Sequence, residues 1–184
     1  IQDVSIKRIQ EAMPQLKGIE NELIIDYTEY KMPNDKHPIH RYPIRFDGLY
    51  IGLREKGKAR FSINLKEFEV GHNDLVICSP DDLVQATLQE DVHLVQSMVV
   101  SSHFLKEMYI SLNSFMPFFA VRKDHPVFHL TDSEMEELKA YFLLIKDNIE
   151  KDDYFRADII KRLLAAYLYK LGSILYRHRP ELQE

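Results

Sequence analysis

Hydrophobic and polar positions alternate in short runs between Leu49 and Val100. From Ala59 to Leu65, Phe61, Ile63 and Leu65 share one side, while Arg60, Ser62 and Asn64 share the other. This period of two predicts a half-buried strand. Gly57-Lys58 precedes it, and Asn64-Leu65-Lys66-Glu67 suits a hairpin loop after it. Phe68 and Val70 lead to a turn at Gly71-His72-Asn73-Asp74. Leu75-Val76-Ile77-Cys78 is apolar on both faces and stops at Ser79-Pro80-Asp81-Asp82. Val84, Ala86 and Leu88 alternate again, as do Val92, Leu94, Gln96, Met98 and Val100. Strands this short, at such regular turn spacing, predict an antiparallel sandwich or small barrel.

Upstream, Val4, Ile6, Ile9 and Met13 suit one side of a short helix that Pro14 disturbs. Leu23 to Tyr30 reads as a strand. Met32 to Pro43 is loop-like, and Ile44–Phe46 and Leu49–Arg54 are further strands around an Asp47-Gly48 turn. Downstream the period changes. Ser101 or Ser102 can cap a helix carrying Phe104, Leu105, Met108 and Leu112, and a second helical piece near Phe115–Val121 contains Pro117. Pro126 to Leu130 is extended. Thr131 and Glu134 match a capping box, followed by Met135, Leu138, Phe142, Ile145 and Ile149 in steps of three and four. The last helix is expected from about Tyr154 to His178, with Pro180 ending it. Its stripe is Ile160, Leu163, Leu164, Tyr167, Leu171 and Ile174, widened by Phe155, Ile159, Leu168 and Leu175. A stripe so wide can lie between the strands and the preceding helix, or it can pack on a second copy of the chain. We expect the second, with those six residues as the dimer interface.

Composition narrows the picture. The 184 residues are 45% hydrophobic and 29% charged, ordinary for one globular domain or one domain with an appendage. A net charge of −5 makes non-specific nucleic-acid binding unfavourable. The single cysteine, Cys78, excludes an intramolecular disulfide. No apolar run is long enough to span a bilayer, and no signal peptide opens the chain, so a cytoplasmic location is expected. The chain opens on Ile1 and not on methionine, so a fragment of a longer protein is expected.

Gly57-Lys58-Ala59-Arg60-Phe61 and Phe68 through Pro80 resemble the barrel core of AraC-type transcriptional regulators. That family places a Gly-Asp turn before an apolar strand and a proline turn. Gly71-His72-Asn73-Asp74 is a slightly longer version. The order of elements resembles the family over about residues 20–178, and only 57–80 is motif-like. The fold implied is mainly β with C-terminal α: a cupin-like antiparallel β-barrel at 1–130, then two amphipathic helices at 131–184. The resemblance implies an effector-binding and dimerising half, with DNA bound by a separate helix-turn-helix domain that would follow Glu184. It implies a small-molecule effector, a sugar or other metabolite, and no cofactor. Tyr27, Arg45, Tyr50, Gln96 and Met98 are the positions it nominates for effector contact.

Three other readings compete. A metal-dependent cupin enzyme needs histidines on its strands, and Leu49–Arg54 and Ala59–Leu65 have none, nor have Val84 and Gln85 after Pro80. His37, His40, His72 and His93 are scattered. Ser101-Ser102-His103 reads as a helix cap and not as a nucleophile with its base, so no enzyme is expected. A cyclic-nucleotide receptor would need phosphate donors where Pro80-Asp81-Asp82 is acidic. A dimerisation module without an effector is the remaining alternative.

Overall fold

A computed structural model describes residues 2–31, 38–108 and 125–178. Phe115–Val121, His37 and Pro180 lie outside the described residues. Among the described residues, twelve strands form two sheets. The first has the order β1-β5-β10-β7-β8, with β1 at Gln2–Val4, β5 at Ile44–Phe46, β10 at Val84–Leu88, β7 at Ala59–Ile63 and β8 at Lys66–Val70. The second has the order β12-β9-β6-β11-β3-β2, and β4 also pairs with β11. Its strands are β12 (Val127–His129), β9 (Asp74–Cys78), β6 (Gly48–Lys56), β11 (Val92–Ser101), β3 (Leu23–Asp26), β2 (Lys17–Ile19) and β4 (Tyr30–Lys31).

Two expectations are corrected here. Among the described residues the sheets are open and do not close into a barrel: one strand order ends at β1 and β8, the other at β12 and β2. Alternation reports which side of a strand is buried and says nothing about closure. The sheets are also not wholly antiparallel, since β1 pairs with β5 in parallel, Gln2 opposite Ile44.

Local chemistry explains the turns. β7 and β8 join through Asn64 and Leu65, both with positive φ, 50° and 70°. This two-residue connection matches the right-handed strand twist. The Asn64 side chain donates to Asp82 Oδ1 at 2.8 Å and accepts from the Leu83 amide at 3.0 Å, tying the turn to the start of β10.

The helices follow the same rules. α1 is Ile6–Ala12, and α2 is Ser102–Glu107, capped by Ser101, whose Oγ accepts from the Phe104 amide at 2.9 Å. α3 is Asp132–Ile149. It starts on the expected capping box: the Thr131 hydroxyl accepts from the Glu134 amide, and the Glu134 carboxylate accepts from the Thr131 amide. α4 is Arg156–His178.

The layers are therefore sheet, sheet, helices. One core fills the gap between the sheets and includes Ile24, Phe61, Val84 and Val99. The other lies between the seven-stranded sheet and α3 and α4, and joins Met98, Val100 and Ile51 to Phe142, Leu164 and Tyr167. The two sides of position 130 thus share one apolar core.

The stripe nominated for dimerisation is occupied inside the protomer. Ile160, Leu164, Tyr167, Leu171 and Ile174 are all buried there, and Leu163 is half-buried against the same core. Of the residues that widen the stripe, Leu168 and Leu175 are buried in the same core, Ile159 is half-buried, and Phe155 is exposed. Of the six nominated residues, only Leu163 keeps a part-exposed edge that a second copy could meet.

Candidate functional site

The strand β6 has two different faces. Leu49, Ile51 and Leu53 point to the helices, and Tyr50, Gly52 and Arg54 alternate with them. Tyr50 and Arg54 line a cavity of ≈ 90 Å³ between the sheets. Its walls are apolar at Ile24, Phe61, Val95 and Val99. Ile9 and Met13 of α1 also line it, as does Ile39 in the 3-10 turn Pro38–His40. Its polar groups are Asp26, Tyr30, His40, Tyr50, Arg54 and Ser97.

Arg54 is the unusual member. Its residue is 4% exposed. One Nη donates to His93 Nδ1 at 2.9 Å and to the Lys56 carbonyl at 3.4 Å, and the Tyr30 hydroxyl accepts from the same guanidinium. Its Nε has no hydrogen-bond partner. His93 is fully buried, stacks on Tyr30 at 5.2 Å, and donates from Nε2 to the Glu90 carbonyl. Because its Nδ1 accepts from arginine, which has no acceptor of its own, that nitrogen carries no proton. Burial lowers the pKa of His93, with Arg54 adding to the effect against the Glu90 carbonyl.

Burial shifts the neighbouring titratable groups toward their neutral forms. Burial lifts the Asp26 carboxyl above the usual carboxylate range, partly offset by its hydrogen bonds with Thr28 and the Tyr27 backbone. Burial lowers the pKa of His40, whose Nδ1 donates to the Ala86 carbonyl at 3.0 Å. Burial also raises the Tyr30 and Tyr50 phenols, Arg54 opposing in both cases. Tyr50 bonds Ser97 and lies nearly parallel to Phe46, centroids 5.7 Å apart.

Of the five nominated effector contacts, Tyr50 lines the cavity, and Met98 touches it while sitting chiefly in the helix-facing core. Arg45 is exposed and borders an outer groove with Asp3 and Asp81. Tyr27 and Gln96 lie on the helix side of the seven-stranded sheet. There Tyr27 meets Phe142 edge-on, Lys139 sits over its ring, and Gln96 Nε2 approaches Glu55 at 3.5 Å. Lys139 in turn binds Glu55 at 2.9 Å. The cavity-facing positions of β11 are Val95, Ser97 and Val99, one residue out of step with Gln96 and Met98. Both faces of β11 are buried, so alternation cannot say which face looks into the cavity.

Asp26, Tyr30, His40, Arg54 and Ser97 were not singled out from the sequence. The available signal was Arg54, a charged residue inside an otherwise apolar strand that continues to Lys56. Among the described residues no three of His, Cys, Asp and Glu converge as metal ligands, and no helix is long and apolar enough to cross a membrane.

No protein-family model matches the chain, and no curated protein does. Among solved structures the chain is similar to the AraC-like transcriptional activator CuxR, at 10% identity over 83% of this chain and 51% of that one, with a TM-score of 0.48. It is similar to unsaturated-fatty-acid-bound ToxT from Vibrio cholerae strain SCE256, at 10% identity over 85% and 53%, with a TM-score of 0.46. A cupin superfamily protein from Desulfitobacterium hafniense matches at 9% identity over 46% and 72%, with a TM-score of 0.34. The chain spans about half the length of the two regulators.

Proposed function

We propose that this chain is the sensing half of an AraC-type regulator and binds a small effector in the chamber between its sheets. The observation that carries the reading is the chamber itself. It combines apolar walls with a few convergent polar groups on rigid strands, the usual composition of a small-molecule site. The motif-like stretch 57–80 supports the family assignment. The effector would act by favouring one arrangement of the segments that close the chamber, α1 and the Pro38–His40 turn, by no more than its differential affinity for the two arrangements.

The test is a thermal-unfolding panel of sugars, amino acids and short-chain acids. It is run on the native chain and on Ala86→Leu, which fills the cavity from β10. Stabilisation that rises with ligand concentration in the native chain and is lost in the variant supports the reading. Equal stabilisation of both overturns it.

Homodimerisation belongs to the same proposal, through a different face. Ile159, Arg162, Ala166, Tyr169, Ser173 and Tyr176 repeat at steps of three and four along the outside of α4, the spacing of a helix-pairing seam. Tyr169 and Tyr176 are exposed, and Ala166 and Ser173 allow close approach. An antiparallel partner would set the acidic start of the helix, Asp153 and Asp158, against Lys170 and Arg177 at its end.

A further inference from the structure

We propose that the chamber takes a short-chain carboxylate whose carboxyl group pairs with the Arg54 guanidinium. The inference rests on the reading of the chamber as an effector site and adds the chemical class of its occupant.

Arginine stays protonated, so Arg54 places a fixed positive charge among apolar walls. A buried charge is costly unless an opposite charge meets it. Among the described residues no carboxylate lies within ion-pair distance of Arg54. Its three acceptors, His93 Nδ1, the Lys56 carbonyl and the Tyr30 hydroxyl, are all neutral groups. Its Nε–H is left without a partner. Asp26 is the one carboxyl among the described residues that lines the chamber, and its hydrogen bonds go to Thr28 and the Tyr27 backbone. An incoming carboxylate would supply the missing counter-charge and could accept from Nε–H in the side-on mode that suits the guanidinium fork.

The rest of the chamber fits the other end of such a molecule. Ile24, Phe61 and Val99 offer an alkyl chain an apolar wall. The volume, ≈ 90 Å³, is below the roughly 150 Å³ of a cavity that admits benzene, which limits the chain to a few carbons. A sugar ring is larger than benzene and exceeds this volume.

The test follows the side-chain Nε–H signal of Arg54 by NMR in arginine-labelled protein, together with the melting temperature. Sodium propionate is titrated at constant ionic strength. The expected result is a saturable shift of that signal and a melting temperature that rises with propionate. Propionamide, matched in shape and uncharged, is expected to give neither. Arg54→Gln is expected to weaken propionate binding at least tenfold. If that variant does not fold, the native Nε–H titration decides alone, and an unmoved signal overturns the proposal. Equal responses to propionamide, or a response to phosphate in place of propionate, overturn the carboxylate class while leaving the chamber a binding site. Silence towards every acid, amide and sugar overturns the effector reading as well.

Discussion

The Arg54 guanidinium donates to Nδ1 of His93 across 2.9 Å, joining the end of β6 to the start of β11 behind the chamber. The contact requires a neutral imidazole, and burial already disfavours the charged ring. His40, on the far side, has its pKa lowered by burial too. A histidine whose folded pKa lies below its unfolded value of 6.5 contributes stability that is present above 6.5 and lost as pH falls towards the folded value. The groups facing His93 are Arg54, Glu90, Asp91 and Tyr30. Thermal unfolding at pH 7 and pH 5 is expected to show a loss of stability on acidification. His93→Asn, which cannot titrate, is expected to show a smaller loss.

On β6 a side chain has no room at Gly48, where a Cβ would lie 2.3 Å from the Val100 carbonyl oxygen, nor at Gly52. A Cβ there would lie 2.4 Å from the Tyr50 hydroxyl, and Phe46 stacks on that ring. Gly52→Ala is expected to destabilise by about 1–3 kcal/mol, as overpacking usually does, and to displace Tyr50 from the chamber. Gly71→Ala is the control, because its nearest foreign atom would be 3.8 Å away. Its effect on a urea midpoint should stay within about 0.5 kcal/mol.

Leu65 occupies a left-handed backbone conformation at the tip of the β7–β8 hairpin and is 84% exposed. It packs on little and carries the strain of a branched side chain at positive φ. Leu65→Gly creates the Asn-Gly pair that such turns favour. A gain of about 0.5–1 kcal/mol in the urea-unfolding free energy is expected, since the relief of strain exceeds the added chain entropy.

Glu55 and Lys139 clamp α3 to β6. Burial opposes the charge on Glu55, but its bonds with Lys139, Tyr27 and Gln96 prevail and lower its pKa, while Glu55 first and Tyr27 second raise that of Lys139. A carboxylate with a lowered folded pKa contributes above its unfolded value of 4.5 and loses that contribution as pH falls through the folded value. A double-mutant cycle with Glu55→Gln and Lys139→Met is expected to give a coupling of about 1 kcal/mol at pH 7 that fades as the pH falls below 4.5.

The two faces of α4 make opposite predictions. Leu164 is fully buried within the protomer, so Leu164→Glu is expected to unfold the chain, with loss of its circular-dichroism transition. Tyr169 is 55% exposed on the outer face. Tyr169→Glu is expected to leave the fold intact and to halve the mass seen in sedimentation. An unchanged mass would remove that face from the account.

Much of the fold was legible because single residues dictate local structure. Thr131 with Glu134 announced the start of α3, Ser101 capped α2, and the alternation from Ala59 to Leu65 marked β7. What the sequence could not show is where a buried face looks. β6 and β11 are covered on both sides, so Tyr50 and Gln96 carry the same signature of a polar residue in an apolar strand. One faces the chamber and the other faces α3. The α4 stripe misled for a related reason. Its width was real, but two layers of the same protomer cover most of it, leaving Phe155 exposed and Ile159 and Leu163 at its edges. Sheet closure was likewise beyond a pattern that records burial one strand at a time.

The most direct test of the chamber is a methyl NMR titration of the intact chain with propionate and with the sugar and amino-acid panel. The account predicts shifts confined to the methyls that line the chamber, among them Ile24, Ala86, Val95 and Val99, with Leu164 and Ile174 unmoved. Shifts centred instead beside Tyr27 and Gln96 on the helix side, or no methyl shift with any compound, would contradict it.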